Sequence, residues 1–181
     1  MQFERKWKNV GKLGGKHTLE YNLWSAMMQR ITKGQGNYTQ VTCDDRFKDF
    51  GYFHEWCQEQ VGFREVDNKG KLFSLDKDIL SKGFGVYSPE TCVFVPRVLN
   101  NLFTRTCRDL PRGVYERELK KPSSKRYSSS ISKGGRHVYL GDFHSIEEAK
   151  EAYDAARKDY LLELYEAYGV RVDSRVWDRI L

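Results

Sequence analysis

Two groups of residues carry the chemistry in this sequence. The first lies within LDKDILSKGFGVYSPETCVFVPRVLNN, residues 75–101, where Asp76 precedes Lys77 and Asp78, and Asn100 and Asn101 stand near the end. Carboxylates and carboxamides are oxygen donors of the kind hard divalent cations take. Mg²⁺ (or Mn²⁺) keeps several waters, so one Asp and one Asn suffice when a DNA phosphate supplies the rest. By spacing alone, Asp76 equally suits a strand-end salt bridge and Asn100 a helix cap. The second group is Arg112, Tyr115, Arg117, Arg126, Ser128, Ser130, Ser132, His137 and Tyr139. Arginines bind phosphates and read guanine edges, and hydroxyls donate to phosphate oxygens. A solvated sheet face would carry the same residue types.

Other chemistries lack their motifs. There is no P-loop, no G-x-G-x-x-G, no H-E-x-x-H and no G-x-S-x-G. Cys43, Cys57, Cys92 and Cys107 are widely spaced and form no C-x-x-C, which disfavours a zinc module. Each has apolar or aromatic neighbours and reads as a small buried hydrophobe in a reducing compartment. His54, within the aromatic run RFKDFGYFHEW, reads as a packed histidine, with Asp78 and His54 as reserve catalytic groups.

The elements that must position these residues follow from periodicity. Residues 1–20 are basic and glycine-punctuated, an irregular arm. Glu20–Arg30 carries Tyr21, Trp24, Met27 and Met28 at helical spacing, with Gly34 and Gly36 as breakers. Tyr38–Cys43 alternates as a strand. Asp45–Gln60 repeats Phe47, Phe50, Phe53, Trp56 and Cys57 at three- and four-residue steps, which predicts one helix with an aromatic inner stripe. Residues 61–71 are a polar loop, and Phe73–Leu80 is strand-like. Gly83 and Gly85 mark one turn and Ser88-Pro89 another. Cys92–Val95 is a short strand, and Pro96 opens a helix running to about Phe103.

The 181 residues carry a formal charge of +6, enough chain for one or two compact units. No apolar run approaches the roughly 20 residues of a membrane span, and the start, MQFERKWKNV, lacks the apolar stretch of a signal peptide. Charge is uneven: residues 105–136 carry an excess of +7 and residues 142–166 one of −5. That asymmetry suggests a face built for a polyanion beside a supporting helix. The expected boundary lies near residues 104–111, giving domains 1–104 and 105–181.

In the second domain, strands are expected at Arg112–Arg117, Arg126–Ser132 and Arg136–Phe143. Lys-Pro-Ser-Ser separates the first two, and Lys133-Gly134-Gly135 turns a hairpin. Ser145 caps a helix with Glu148 three residues on. That helix buries Ala149, Ala152, Tyr153, Ala156, Tyr160, Leu161 and Leu164. Alternation sends Val114, Tyr127, Ser129, Ile131, Val138 and Leu140 toward the helix. It leaves Tyr115, Arg117, Arg126, Ser128, Ser130, Ser132, His137 and Tyr139 outward, with Arg112 at the strand's start.

RGVYER followed by KRYSSSISKGGRHVYLGDFHSIEEAKEAYDAARK resembles the plant Apetala-two/ethylene-response-factor DNA-binding domain, also found in phage and homing endonucleases. The carriers are Arg112-Gly113-Val114, Leu140-Gly141-Asp142-Phe143, Glu147-Glu148-Ala149 and Ala152-Tyr153-Asp154-Ala155-Ala156. The resemblance implies a three-stranded sheet in the DNA major groove. Its contact positions fall on Arg112, Tyr115, Arg117, Arg126, Ser130, Ser132, His137 and Tyr139. Tyr115, Ser132 and His137 replace family arginines, which implies a different sequence preference.

YNLWSAMMQR, RFKDFGYFHEW and LDKDIL…YSPETCVFVP…NN, over residues 18–103, resemble a phage-encoded branch of the HNH (ββα-metal) homing endonucleases. The resemblance implies that Asp76 and Asn100 hold a divalent metal. Lys77 stands where the family has its general-base histidine, and Thr91 where it has a loop asparagine.

The expected fold class is therefore α+β, a small ββα-metal-like nuclease unit followed by a three-stranded antiparallel sheet packed on one helix. The expected function is a homing-type, sequence-specific DNA endonuclease or nickase using Mg²⁺ or Mn²⁺, with Asp76, Lys77 and Asn100 catalytic. The expected partner is double-stranded DNA, with no membrane or protein partner. The expected location is intracellular, in a bacterial host's cytoplasm if the gene is a phage's. One alternative is a DNA-binding relative that has lost catalysis; a structural or interaction protein that binds no DNA is a more distant one.

Overall fold

A computed structural model describes residues 11–33, 41–81, 85–104, 109–117 and 126–181. The chain is a mixed α+β protein in two units. The first comprises the chain up to Arg97 together with Val170–Arg179, and the second comprises Val98–Gly169 with Ile180–Leu181. This differs from the sequence boundary at 104–111 in two respects. The break falls at the start of a helix, and the C-terminal turn and helix return to the first unit. Among the described residues, no helix is long and apolar enough to cross a membrane.

In the first unit, β1 (Lys12–Leu13) and β2 (Lys16–His17) form a small antiparallel ribbon where an irregular arm was expected. Helix α1 (Leu19–Lys33) follows and buries Met27. Residues 1–10, the breakers Gly34 and Gly36, and residues 38–40 of the expected strand lie outside the described residues. β3 (Thr42–Cys43) leads into two helices, α2 (Asp45–Lys48) and α3 (Phe50–Glu59). One continuous helix was expected there. Asp49 divides it, because its carboxylate accepts from the Tyr52 amide at 2.7 Å and caps α3.

The aromatic stripe survives this break. Phe47 and Phe53 are fully buried, their rings edge-on at 5.2 Å, and Trp56 packs 4.8 Å from Phe47. Each such burial contributes roughly 1.5–3 kcal/mol. β4 (Ser74–Asp76) pairs antiparallel with β6 (Val93–Val95), whose three residues are all buried. β5 (Val86–Tyr87) pairs parallel with β3.

The C-terminal return closes this unit. A 3-10 turn (Gly169–Arg171) and the C-terminal helix (Ser174–Ile180) follow the second unit in the chain. Val176 and Trp177 are buried, Arg171 donates to the Val66 carbonyl at 3.2 Å, and Arg175 donates to the Glu90 carbonyl at 3.2 Å.

Helix α4 (Arg97–Asn101) opens the second unit, directly after Pro96, and is shorter than expected. β7 (Val114–Glu116), β8 (Tyr127–Lys133) and β9 (Arg136–Phe143) form an antiparallel sheet in that order. The 121–124 turn and Cys107 lie outside the described residues. Lys133 pairs with Arg136, so Gly134-Gly135 is a two-residue turn; both glycines have positive φ, 59° and 89°, as such hairpins require. Helix α5 (Ile146–Tyr168) begins at Ser145, whose hydroxyl accepts from the Glu148 amide at 3.1 Å. The Glu148 carboxylate accepts from the His144 amide at 3.1 Å, one residue before the cap's own amide that a capping box uses. The final helix of the chain, already described, is α6.

Helix α5 lays Ala149, Tyr153, Tyr160, Leu161, Leu164 and Tyr168 into the core, joined there by Val114, Ser129 and Ile131 from the sheet. That is the face the helical spacing predicts.

Candidate nucleic-acid interface

The register of the sheet sorts its residues by face. Tyr115 lies opposite Ser128, Ser130 opposite Tyr139, and Ser132 opposite His137. These share the face away from buried Val114, Ser129 and Ile131, as alternation predicts. Arg117 and Arg126 continue the ladder at its open end, with the Arg117 amide donating to the Arg126 carbonyl at 2.8 Å.

A bulge breaks the alternation. Ser129 pairs with Gly141 but Ser130 pairs with Tyr139, so Leu140 is the extra residue on β9. Leu140, expected to face the helix, is therefore left without a cross-strand partner and is half-buried. The bulge also turns Asp142 onto the outer face, opposite Ser128. Val138 keeps its register with Ile131, though 37% of it remains exposed near the hairpin tip.

Both outer-face arginines are held by carboxylates. Arg117 pairs with Asp142, reaching from β7 across β8 to β9. Arg126 donates from Nε to Glu116 at 2.7 Å, and this bond holds the guanidinium above its ordinary pKa. The Asp142 carboxylate also raises the pKa of the Tyr139 phenol. Asp142 and Glu116 were missed in the sequence. Glu116 stood in plain view beside Arg117, but nothing in the alternation announced the bulge that brings Asp142 outward.

The remaining members of the group differ in exposure. Tyr139 and Tyr115 are exposed, at 59% and 38%. Ser132 and His137 are exposed too. Ser130 is only 5% exposed, and its hydroxyl lies 2.8 Å from His137 Nε2. Arg112 precedes the strand rather than standing on it, and donates to the Asn101 carbonyl at 2.9 Å. Its charge also partly offsets the rise that burial imposes on the pKa of the Tyr153 phenol. Gly113 (φ 76°) brings the backbone against the Tyr153 ring. A cavity of about 220 Å³ opens there, lined among others by Arg112, Tyr115, Ser130, Ser132 and Tyr153.

In the first unit, Asp76 ends β4 and is 5% exposed. Its Oδ2 accepts from the Asp78 amide at 2.9 Å and the Ile79 amide at 2.8 Å. These bonds turn the chain, so the strand expected over Phe73–Leu80 stops at Asp76. Burial raises the Asp76 pKa against the opposing pull of the two amides. Lys77 is 7% exposed, donates to Asp78 at 2.7 Å, and lies 5.4 Å over the Tyr87 ring. Thr91 ties the turn before β6, donating to the Val86 carbonyl at 2.7 Å. His54 is half-buried, edge-on to Phe50 at 6.1 Å.

Asp76 belongs to the first unit and Asn100 to the second. The Asp76 carboxylate keeps Oδ1 outside its two amide bonds and has the Asp78 carboxylate two residues on. That donor chemistry fits a hard cation bound through one or two carboxylates with waters and substrate oxygens. Among the described residues, no three His, Cys, Asp or Glu side chains are grouped as metal ligands.

Comparison of the chain with protein-family models, with curated proteins and with solved structures returns no match.

Proposed function

We propose that the protein binds double-stranded DNA through the outer face of the β7–β8–β9 sheet. The observation that carries this reading is the gathering of Arg117, Arg126, His137, Tyr115, Tyr139 and Ser132 on one antiparallel sheet. The major groove admits a β-ribbon, and these side chains offer donors to phosphates and base edges. The local excess of +7 over residues 105–136 supports it. Binding replaces the carboxylate partners of Arg117 and Arg126 by phosphate or guanine. The test is titration of the full chain with duplex DNA at rising salt. Affinity should fall with salt as neutralised phosphates release counterions, and Arg117→Ala with Arg126→Ala should weaken it while the fold persists. Salt-independent binding, or full binding by the double variant, refutes the reading.

A second reading adds phosphodiester cleavage, as expected of a homing-type nuclease. It is favoured by the buried carboxylate of Asp76 at the end of β4, in the antiparallel β4–β6 pair. A divalent cation held by Asp76 would supply charge neutralisation at a phosphate. Lys77 already pairs with Asp78 at 2.7 Å. Its place is to stabilise phosphate charge, so Lys77→Arg should retain activity where a base would lose it. Nicking of duplex DNA with Mg²⁺ or Mn²⁺ that Asp76→Ala abolishes supports this reading. Binding without nicking under any metal leaves the DNA-binding function alone.

A further inference from the structure

Three observations converge on Asp142. The bulge at Leu140 is what turns its side chain onto the DNA-facing side. Its carboxylate bears on two members of the proposed contact set, Arg117 through an ion pair and Tyr139, whose phenol it holds above the ordinary pKa. Its Oδ1 is buried with no hydrogen-bond partner. A merely solubilising carboxylate would need none of this; the side chain is 27% exposed and sits across the middle strand from the arginine it holds.

We propose that Asp142 is a specificity-determining residue of the DNA interface: it competes with phosphate for Arg117, and so discriminates against DNA that offers backbone contacts alone. This rests on the DNA-binding reading above. When Arg117 leaves for a phosphate, the Asp142 carboxylate is left on the interface without its cation. Random DNA then gains one charge pair and loses another, a near-balanced exchange. A site that presents a base amino group to Asp142, such as the N4 amine of cytosine in the major groove, restores a donor to the carboxylate. The matching duplex keeps both interactions, and the mismatched one keeps only the first. Buried Oδ1 strengthens the discrimination, because an unpaired buried acceptor is costly.

The test uses the full chain, a random-sequence duplex pool, and a duplex selected for tight binding by the wild-type protein from a randomised library. Asp142→Asn should bind the random pool about fivefold more tightly, the ceiling set by an exposed ion pair. Its log K against log salt should steepen by about 0.9, one further phosphate contact. It should gain little or nothing on the selected duplex. In an Arg117→Ala background the same substitution should have no effect on the random pool. Asp154→Asn removes one charge from the exposed side of α5, where Asp154 pairs with Lys150, and serves as the control for long-range charge. Equal gains on both DNAs, a gain that persists without Arg117, or an equal gain from Asp154→Asn would each overturn the proposal. An Asp142→Asn chain that has lost the β8–β9 amide protection against hydrogen exchange is replaced by Asp142→Ser in the same cycle. If the wild-type chain binds neither DNA, the DNA-binding reading itself fails and the proposal falls with it. Binding with no Asp142–Arg117 coupling sinks this proposal alone.

Discussion

Substituting alanine for Gly113 tests how closely β7 is docked on α5. A Cβ built there would lie 2.0 Å from Tyr153 Cδ2, 2.4 Å from Cε2 and 2.8 Å from the Ser130 carbonyl oxygen. Tyr153 is 5% exposed and cannot swing into solvent, and the Ser130 carbonyl belongs to the central strand. The neighbours must therefore shift, and overpacking of this kind costs about 1–3 kcal/mol. Gly113 also has φ 76°, which costs an L-residue a further ~1–2 kcal/mol. The expected loss is about 2–5 kcal/mol, a large part of the stability of a small unit. Gly134→Ala is the matched control: its φ is 59°, but nothing lies within 4 Å of the added Cβ. It should cost only the conformational part, ~1–2 kcal/mol. Native-state hydrogen exchange of β8 and α5 amides separates this unit from the other and reads both variants directly. A Gly113→Ala chain no less protected than the Gly134→Ala chain would refute the close docking of Gly113 on Tyr153.

Further expectations concern single residues. Ser145→Ala should lower the protection of the first turn of α5 by about 1 kcal/mol, since the Glu148 amide loses its acceptor. Asp76→Ala should destabilise the first unit by about 1–3 kcal/mol, by stranding the Asp78 and Ile79 amides. Asp76→Asn keeps an acceptor, so thermal denaturation at neutral pH should find it at least as stable as wild type. The Asp76 pKa is raised in the folded chain, so its contribution is fully present below the usual carboxylate pKa and declines as pH rises through the folded value. Asp76→Asn should abolish that part of the pH profile. Glu20 has the opposite sign. It is 1% exposed, and accepts from Arg64 at 2.7 Å and Gln58 at 2.9 Å. These hydrogen bonds outweigh burial and lower its pKa, so its stabilisation is present above about 4.5 and lost as pH falls below. Glu20→Gln should flatten the acid limb of a urea-denaturation series.

The strands and helix of the second unit were legible in the sequence because their signals are local. The 3.6-residue recurrence of Ala149, Tyr153, Tyr160 and Leu161, the Ser145 cap and the Gly134-Gly135 turn each act within one element. Binary alternation likewise assigned Val114 and Ile131 inward and Tyr115, Ser132 and His137 outward. What escaped that reading depends on contacts between distant residues. The Leu140 bulge is a mismatch between two strands and has no single-strand pattern, yet it decides that Asp142 faces Arg117. The break at Asp49 turned on a side chain choosing the Tyr52 amide over a continuing helix. The return of Val170–Arg179 to the first unit depends on Val176 and Trp177 finding a core formed by residues that precede them by far in the chain. Asp76 shows the same division: the sequence announced a carboxylate at a strand end, and only the folded chain, by burying it and aiming two amides at one oxygen, set its charge and its partners.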